Sequence, residues 1–185
     1  MKTEARRQFI HYFFGSMFIV LVALLGVQNT LIILVTGLVL GLIKSYFLRK
    51  GHKIPLFYQV VSRVEREQEQ HFPGKGAFMF FIGAIILMLL FREQSIVIGA
   101  LCVAIYGDAA STIVGLRFGK HRIAGKKTLE GTLGGVAFSF LFLYFIFPIQ
   151  IALAACIVGM LAELLPVDDN FTIPLATAAT LRLLL

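Results

Sequence analysis

Residues 77–116 read AFMFFIGAIILMLLFREQSIVIGALCVAIYGDAASTIVGL. Two apolar runs, 77–91 and 95–116, are parted only by Arg92, Glu93 and Gln94, and each approaches the roughly 20 residues a helix needs to cross a bilayer. Comparable runs lie on either side, at 9–26, 30–48, 131–147, 150–165 and 172–185. The 185-residue chain is 58% hydrophobic and 15% charged, against about 25% charged for a soluble domain. The expected fold is therefore all-α: a polytopic transmembrane helical bundle of six or seven spans, one integral-membrane domain over residues 1–185. Several runs fall short of a full crossing, so tilted or protein-packed half-helices are expected among them.

The first run follows a basic lead and superficially mimics a signal peptide. It is too long for one and no small-x-small cleavage site follows, so it reads as a mature membrane helix. Cys102 and Cys156 sit inside apolar runs and suggest neither a disulfide framework nor a zinc site.

The net charge of +7 lies between the apolar runs, which favours anionic headgroups or a phosphorylated substrate over nucleic acid. With the N-terminus cytoplasmic, all of the 17 Lys and Arg residues except Arg92 and Arg182 fall on the cytoplasmic side, as the positive-inside rule expects. Acidic residues are not bound by that rule, yet all ten except Glu93 fall on the same side. The external connections, near Gly26–Thr30, Arg92–Gln94 and Pro148–Ile149, are minimal. Chemistry is thus expected on one face only, which suits an enzyme using a cytosolic reagent better than a two-sided transporter.

Three segments carry the candidate chemistry. In Gly107–Lys120, Asp108, Ser111, Thr112 and Gly115 stand at i, i+3, i+4 and i+7 and share one helix face. A carboxylate in an apolar span costs several kcal/mol unless paired, protonated or metal-bound, in the order of 2.5–3.5 kcal/mol on insertion scales. The plainer reading is an Asp capping a helix at the membrane surface, or one satisfied by Ser and Thr hydroxyls, but the small residues around it would let a ligand approach the backbone. In Gly119–Gly135, Lys126 and Lys127 supply point charges, Thr128 a hydroxyl, and the following helix start free N–H groups, which together suit a phosphate. The alternative there is a basic loop with a helix cap at Thr128, reinforced by Glu130. In Glu163–Pro174, Pro166 stops a helix, and Asp168, Asp169 and Asn170 offer oxygen ligands for Mg²⁺ bridging nucleotide phosphates. Asp169 or Asn170 alone would serve equally as an N-cap. The combination is the parts list of phosphoryl transfer, without a Walker A sequence or protein-kinase motifs.

Gly107-Asp108 through Gly115, Gly119-Lys120, Lys127-Thr128-Leu129-Glu130-Gly131, and Glu163 with Pro166 to Asn170 together resemble the polyprenol kinase family, which includes dolichol kinase, phytol kinase and the CTP-dependent diacylglycerol kinase of yeast. Arg6, Arg7, His11 and Gly15, and the stretch Arg63–Glu67, are similar to its weaker upstream features. The likeness covers nearly the whole chain; eukaryotic dolichol kinases carry extra spans ahead of it. It implies transfer of the γ-phosphate of a nucleoside triphosphate, CTP, to the hydroxyl of a dolichol-like isoprenoid or other lipid alcohol, with Mg²⁺ or another divalent cation. It also implies an active site facing the cytoplasm, in the plasma membrane of a prokaryote or the endoplasmic reticulum of a eukaryote. By it, Asp108, Asp168 and Asp169 become candidates for metal coordination or for orienting the hydroxyl. Asp108, Lys127, Glu130 and Glu163 become candidate catalytic groups, and Lys120, Lys126, Lys127, Thr128, Gly131, Ser111 and Gly115 candidate nucleotide contacts. The preference for CTP comes wholly from the resemblance, and neither it nor the composition chooses among dolichol, phytol, geranylgeraniol and diacylglycerol.

Two other classes compete. A cytidylyltransferase making a CDP-lipid would share the nucleotide and metal, but its His-Gly-Gly and Asp-Arg pattern is missing around Gly134-Gly135. A transporter would use Asp108 in translocation and would show inverted repeats with polar residues toward both faces. A non-catalytic scaffold leaves the Asp, Glu and Lys cluster unexplained.

Overall fold

The computed structural model describes residues 2–49 and 75–185. The stretch Arg63–Glu67 and the cations Lys50, Lys53, Arg63 and Arg66 lie outside the described residues. Within them the protein is helical apart from one short hairpin. The order is α1 (Lys2–Arg49), α2 (Lys75–Leu90), α3 (Gln94–Cys102), a π-helical turn (Val103–Gly107), α4 (Asp108–Phe118), β1 (Arg122–Ala124), β2 (Lys127–Thr128), α5 (Leu129–Leu143), α6 (Ile149–Ala162) and α7 (Asp169–Leu184).

The first element is two helices rather than one. Gly26 has φ 77° and ψ 170°, a left-handed conformation that only glycine adopts cheaply, and it breaks the helix. The ring of Phe81 in α2 packs edge-on against Phe18, before the break. A Cβ on Gly37, after the break, would lie 3.0 Å from the same ring. In a straight helix residues 18 and 37 would stand about 28 Å apart at 1.5 Å per residue, so the chain folds back at Gly26. Gly41 lies against Phe78, one turn earlier in α2, which makes the second limb of α1 antiparallel to α2. A loop at Gly26–Thr30 was expected; one glycine makes the turn instead. Asn29 Nδ2 donates to the Leu25 carbonyl at 2.9 Å and Thr30 Oγ1 to the Gly26 carbonyl at 2.8 Å, so side chains bond backbone on both sides of the turn.

The α3–π–α4 helix runs through the middle of the packing. Ile96, Val97, Ala100, Val103 and Ile105 are fully buried, Gln94 Nε2 donates to the Val22 and Ala23 carbonyls at 3.0 Å each, and further along the Tyr106 hydroxyl meets Ser16 Oγ at 3.1 Å. These pairs place α3–π–α4 antiparallel to the first limb of α1. The core comprises Phe18, Val22, Leu34, Leu87, Met88, Leu143, Cys156, Met160, Ile173 and Leu181 around this axis.

Outside the core the surface remains apolar, with Leu24, Phe145 and Leu183 at 77%, 84% and 84% exposure. Exposed apolar area on this scale calls for lipid or a partner rather than water. Tyr12–Ile43, which contains the Gly26 break, and Gln94–Phe118 are long and apolar enough to cross a membrane, while Phe78–Leu90, Leu129–Leu143 and Ile149–Ala162 are apolar and shorter.

Small residues set the helix spacing. A Cβ on Gly131 would lie 2.8 Å from the Ser111 carbonyl, one on Gly135 2.8 Å from the Gly107 carbonyl, and one on Gly83 2.2 Å from the Asn170 carbonyl. Gly107 at the end of the π-helical turn and Ser111 and Gly115 of α4 recur every fourth residue and face Gly131 and Gly135 of α5, the small-residue pattern that lets membrane helices touch backbone to backbone. Backbone obstructs Gly83, so Gly83→Ala is expected to destabilise by about 1–3 kcal/mol and lower the thermal midpoint in detergent. Gly76→Ala, with nothing within 4 Å of the added Cβ, is the control that leaves it in place.

Candidate functional site

Four elements converge at one end of the bundle. Asp108 begins α4 where the π-helical turn ends, Lys127 sits on β2, Glu163 closes α6, and Asp169 opens α7. Their side chains meet. Lys127 Nζ donates to Glu163 Oε1 and, at 2.8 Å, to Asp169 Oδ2, and stands 3.9 Å from Asp108 Oδ1. One carboxylate oxygen from each of Asp108, Glu163 and Asp169 lies within 4.8 Å of the others. At the opposite end of the bundle Arg182 of α7 pairs with Glu93 just before α3.

Each position has a local cause. The π-helical turn Val103–Gly107 adds a residue to the helical repeat and rotates everything after it, a device that recurs at functional sites. It turns Asp108 and Ser111 toward α6 and α7. Glu163 carries the heaviest constraint: its side chain is 0% exposed, and a buried carboxylate is tolerated only when paired and hydrogen-bonded. Lys127 provides the pair, and the buried Ser111 hydroxyl donates to both carboxylate oxygens at 2.9 and 3.0 Å. Burial of Lys127 opposes its charge, but Glu163 and Asp169 outweigh that, so its pKa is raised and the ammonium stays protonated.

The hairpin that delivers Lys127 turns at Gly125, φ 53°, with Arg122 opposite Thr128. Thr128 is the N-cap of α5, its Oγ1 accepting from Gly131 N at 3.2 Å. Glu130 points to the other side of the loop. It accepts from Lys120 N at 3.0 Å and His121 N at 3.2 Å, and meets His121 Nδ1 at 2.6 Å. The His121 contact first, and then backbone N–H groups, hold its carboxyl down at about 2. Glu130 is thus the anchor of the loop and stands apart from the acidic cluster. Lys120, Arg122 and Lys126 are exposed on that same loop.

Other expected residues fall in different places. Asp168 is the N-cap of α7, its Oδ1 accepting from Asn170 N at 3.0 Å and Asn170 Nδ2 at 2.7 Å; the next residue, Asp169, is the one turned into the cluster. Gly115 and Gly131, expected beside a nucleotide, lie against each other where α4 meets α5: a Cβ on Gly131 would be 3.2 Å from Gly115 Cα. Glu163, placed among the catalytic candidates, joins Asp108 and Asp169 in the set able to surround a cation. Three carboxylate oxygens are the hard donors that Mg²⁺ or Ca²⁺ takes, so the residues present fit a divalent cation. Thr132 escaped the sequence reading: it is 5% exposed and its hydroxyl has no hydrogen-bond partner among the described residues.

Two known proteins are similar over most of this chain. An uncharacterised protein of Methanocaldococcus jannaschii is 33% identical over 179 residues, covering 95% of this chain and 91% of its own length. The CTP-dependent diacylglycerol kinase 1 of Schizosaccharomyces pombe is 30% identical over 152 residues, covering 70% of this chain and 69% of its own. No family model matches, and no solved structure does. A helical bundle with apolar flanks and a lysine-centred carboxylate cluster at one end defines the class, and the chain belongs to the family of that CTP-dependent lipid kinase.

The role of Glu130 gives a check of the loop. Its folded pKa of about 2 lies below the roughly 4.3 of a free glutamate, so its contribution is complete above that value and is lost as pH falls from there toward 2. Amide exchange at Lys120 and His121 is expected to stay protected down to about pH 4. Glu130→Ala should lose that protection at every pH.

Proposed function

We propose that this protein is a membrane-embedded lipid-alcohol kinase, transferring the γ-phosphate of CTP to the hydroxyl of a polyprenol- or diacylglycerol-like alcohol. The observation that carries the reading is the meeting of Asp108, Lys127, Glu163 and Asp169 at one end of an otherwise apolar bundle. The similarity to a CTP-dependent diacylglycerol kinase supports the reaction class and the donor. The isoprenoid acceptor rests on the motif resemblance alone. In this reading the chain crosses the bilayer six or seven times with its N-terminus inside, because the cations of the β1–β2 loop and the acidic cluster share the end that the positive-inside rule assigns to the cytoplasm.

The division of labour follows from burial. Glu163, fixed by Ser111 and Lys127, is the rigid carboxylate, and Asp169 is held by the first turn of α7. Asp108 is the farthest of the three from Lys127, at 3.9 Å, which suits it to orient the incoming hydroxyl and take its proton. The lipid oxygen forms a bond to the γ-phosphorus while the bond from that phosphorus to the β–γ bridging oxygen breaks. CDP leaves with that electron pair, and the hydroxyl proton passes to Asp108 and on to water. A divalent cation on Asp108, Glu163 and Asp169 would neutralise phosphate charge as it develops. Lys127, with Lys120 and Lys126 on the exposed loop, steers and holds the triphosphate. Little covalent work falls to the protein; positioning and electrostatics do the rest.

The test is transfer of label from γ-labelled CTP, compared with ATP, GTP and UTP, to dolichol, geranylgeraniol, phytol and diacylglycerol in liposomes with Mg²⁺. Labelled lipid monophosphate is expected, and Asp108→Asn should lower its rate by about 10²-fold or more, on the scale of losing one general base or charge contact. Pyrophosphate release with a CDP-lipid would identify a cytidylyltransferase instead, and full turnover in the Asp108→Asn variant would remove Asp108 from the mechanism.

A further inference from the structure

We propose that the loop joining α4 to α5 lies on the bilayer as an anionic-phospholipid contact, with Phe118 and Ile123 dipped into the membrane surface and Arg117 and Arg122 on lipid phosphates. The inference rests on the membrane placement of this end of the bundle and is independent of the transfer reaction.

The level of the loop follows from the helix that leads into it. Gln94–Phe118 is an apolar span of 25 residues, about 36 Å long at 1.5 Å per residue. The hydrocarbon core is about 30 Å thick, and headgroups bring the bilayer to about 40–45 Å. With Gln94 at one edge of the core, Phe118 reaches the headgroup layer on the other side, and the loop begins there. The exposed apolar rows of the two flanking helices, Ile113 and Leu116 on α4 and Leu129 and Leu133 on α5, run up to the same level.

The loop carries the side chains that such a layer takes. Phe118 is 59% and Ile123 47% exposed, and each directly follows an arginine, in Arg117-Phe118 and Arg122-Ile123. The Arg117 guanidinium stands 5.5 Å from the centre of the Phe118 ring, so a charge and an apolar face are presented together. Among the described residues no carboxylate pairs with Arg117, Lys120, Arg122 or Lys126. Glu130, the carboxylate of this segment, is engaged by His121 and by the Lys120 and His121 N–H groups. The exposed cations are therefore uncompensated, and anionic headgroups are their complement at this level. An arginine fork matches two phosphate oxygens at once, which assigns Arg117 and Arg122 to the lipid and leaves Lys120 and Lys126 to the nucleotide. The surface is also formed in advance: Leu129 N donates to the His121 carbonyl at 2.9 Å, and the hairpin turns at Gly125.

The chain contains no tryptophan, so Ile123→Trp places a single indole on the loop. The variant is reconstituted in nanodiscs of mixed phosphatidylcholine and phosphatidylglycerol, with the acyl chains of one lipid or the other brominated. Brominated phosphatidylglycerol is expected to quench its emission about fivefold more effectively than brominated phosphatidylcholine, the worth of one basic side chain near an anionic surface. Adding Arg117→Gln and Arg122→Gln should bring the two lipids level. Leu133→Trp, on the exposed side of α5, is the control and should be quenched by both lipids alike. Quenching of Leu133→Trp but not of Ile123→Trp would place the loop in water and overturn the proposal. Equal quenching of Ile123→Trp by the two lipids, or a preference that survives loss of both arginines, would overturn the anionic contact. A preference abolished by saturating CTP would assign the arginines to the nucleotide instead. Leu133→Trp untouched by either lipid would overturn the membrane placement itself, and the proposal with it.

Discussion

The carboxylate of Glu163 is fully buried, and the elements around it supply the partners that such burial demands. An isolated carboxylate in an apolar interior is unaffordable; breaking a buried pair by deleting one member costs about 3–5 kcal/mol. Glu163 is held by a lysine 36 residues earlier and a serine 52 residues earlier, so α4, β2 and α6 are bound at a single point. Asp169 shares the same lysine, which brings in α7. The remaining contacts at this end follow from that knot.

Close helix contact makes the knot possible. Ser111 reaches Glu163 from a helix whose backbone runs against that of α5, with Gly131 pressed to the Ser111 carbonyl and Gly135 to the Gly107 carbonyl. Larger residues at these positions would force the helices apart and withdraw the hydroxyl. The glycines near Asp108 therefore contribute to the site indirectly, by fixing a distance between helices. The β1–β2 loop contributes in a similar way: Thr128 caps α5 and Glu130 closes the loop on His121, which leaves Lys127 projecting inward and Lys126 outward.

The helical character, the apolar runs and the gathering of charge at one end were legible in the sequence because each leaves a long, repeated signal. Single-residue geometry was less so. Gly26 reads as the start of a loop until its φ shows that it turns the chain alone. The π-helical turn leaves no mark in Val103–Gly107 that differs from ordinary apolar helix. Asp168 and Asp169 are indistinguishable by composition, and which one caps and which one faces inward depends on where α7 begins by a single residue, a rotation of about 100°. The glycines of α4 and α5 show the same ambiguity, since a small residue admits a ligand or a helix equally well. Thr132 carries no signal at all: an unpaired hydroxyl is a property of its surroundings. The motifs in Gly107–Lys120, Lys127–Gly131 and Glu163–Asn170 could be set side by side from the sequence, but the partition between residues that touch the cluster and residues that build it needed the packing.

The most direct test of the account is the position of a bound metal. In crystals grown with Mn²⁺ and a non-hydrolysable CTP analogue, the anomalous signal of manganese is expected between Asp108, Glu163 and Asp169, with Lys127 turned to a phosphate oxygen. A nucleotide bound with its metal held elsewhere, and Lys127 still paired to Glu163, would contradict it.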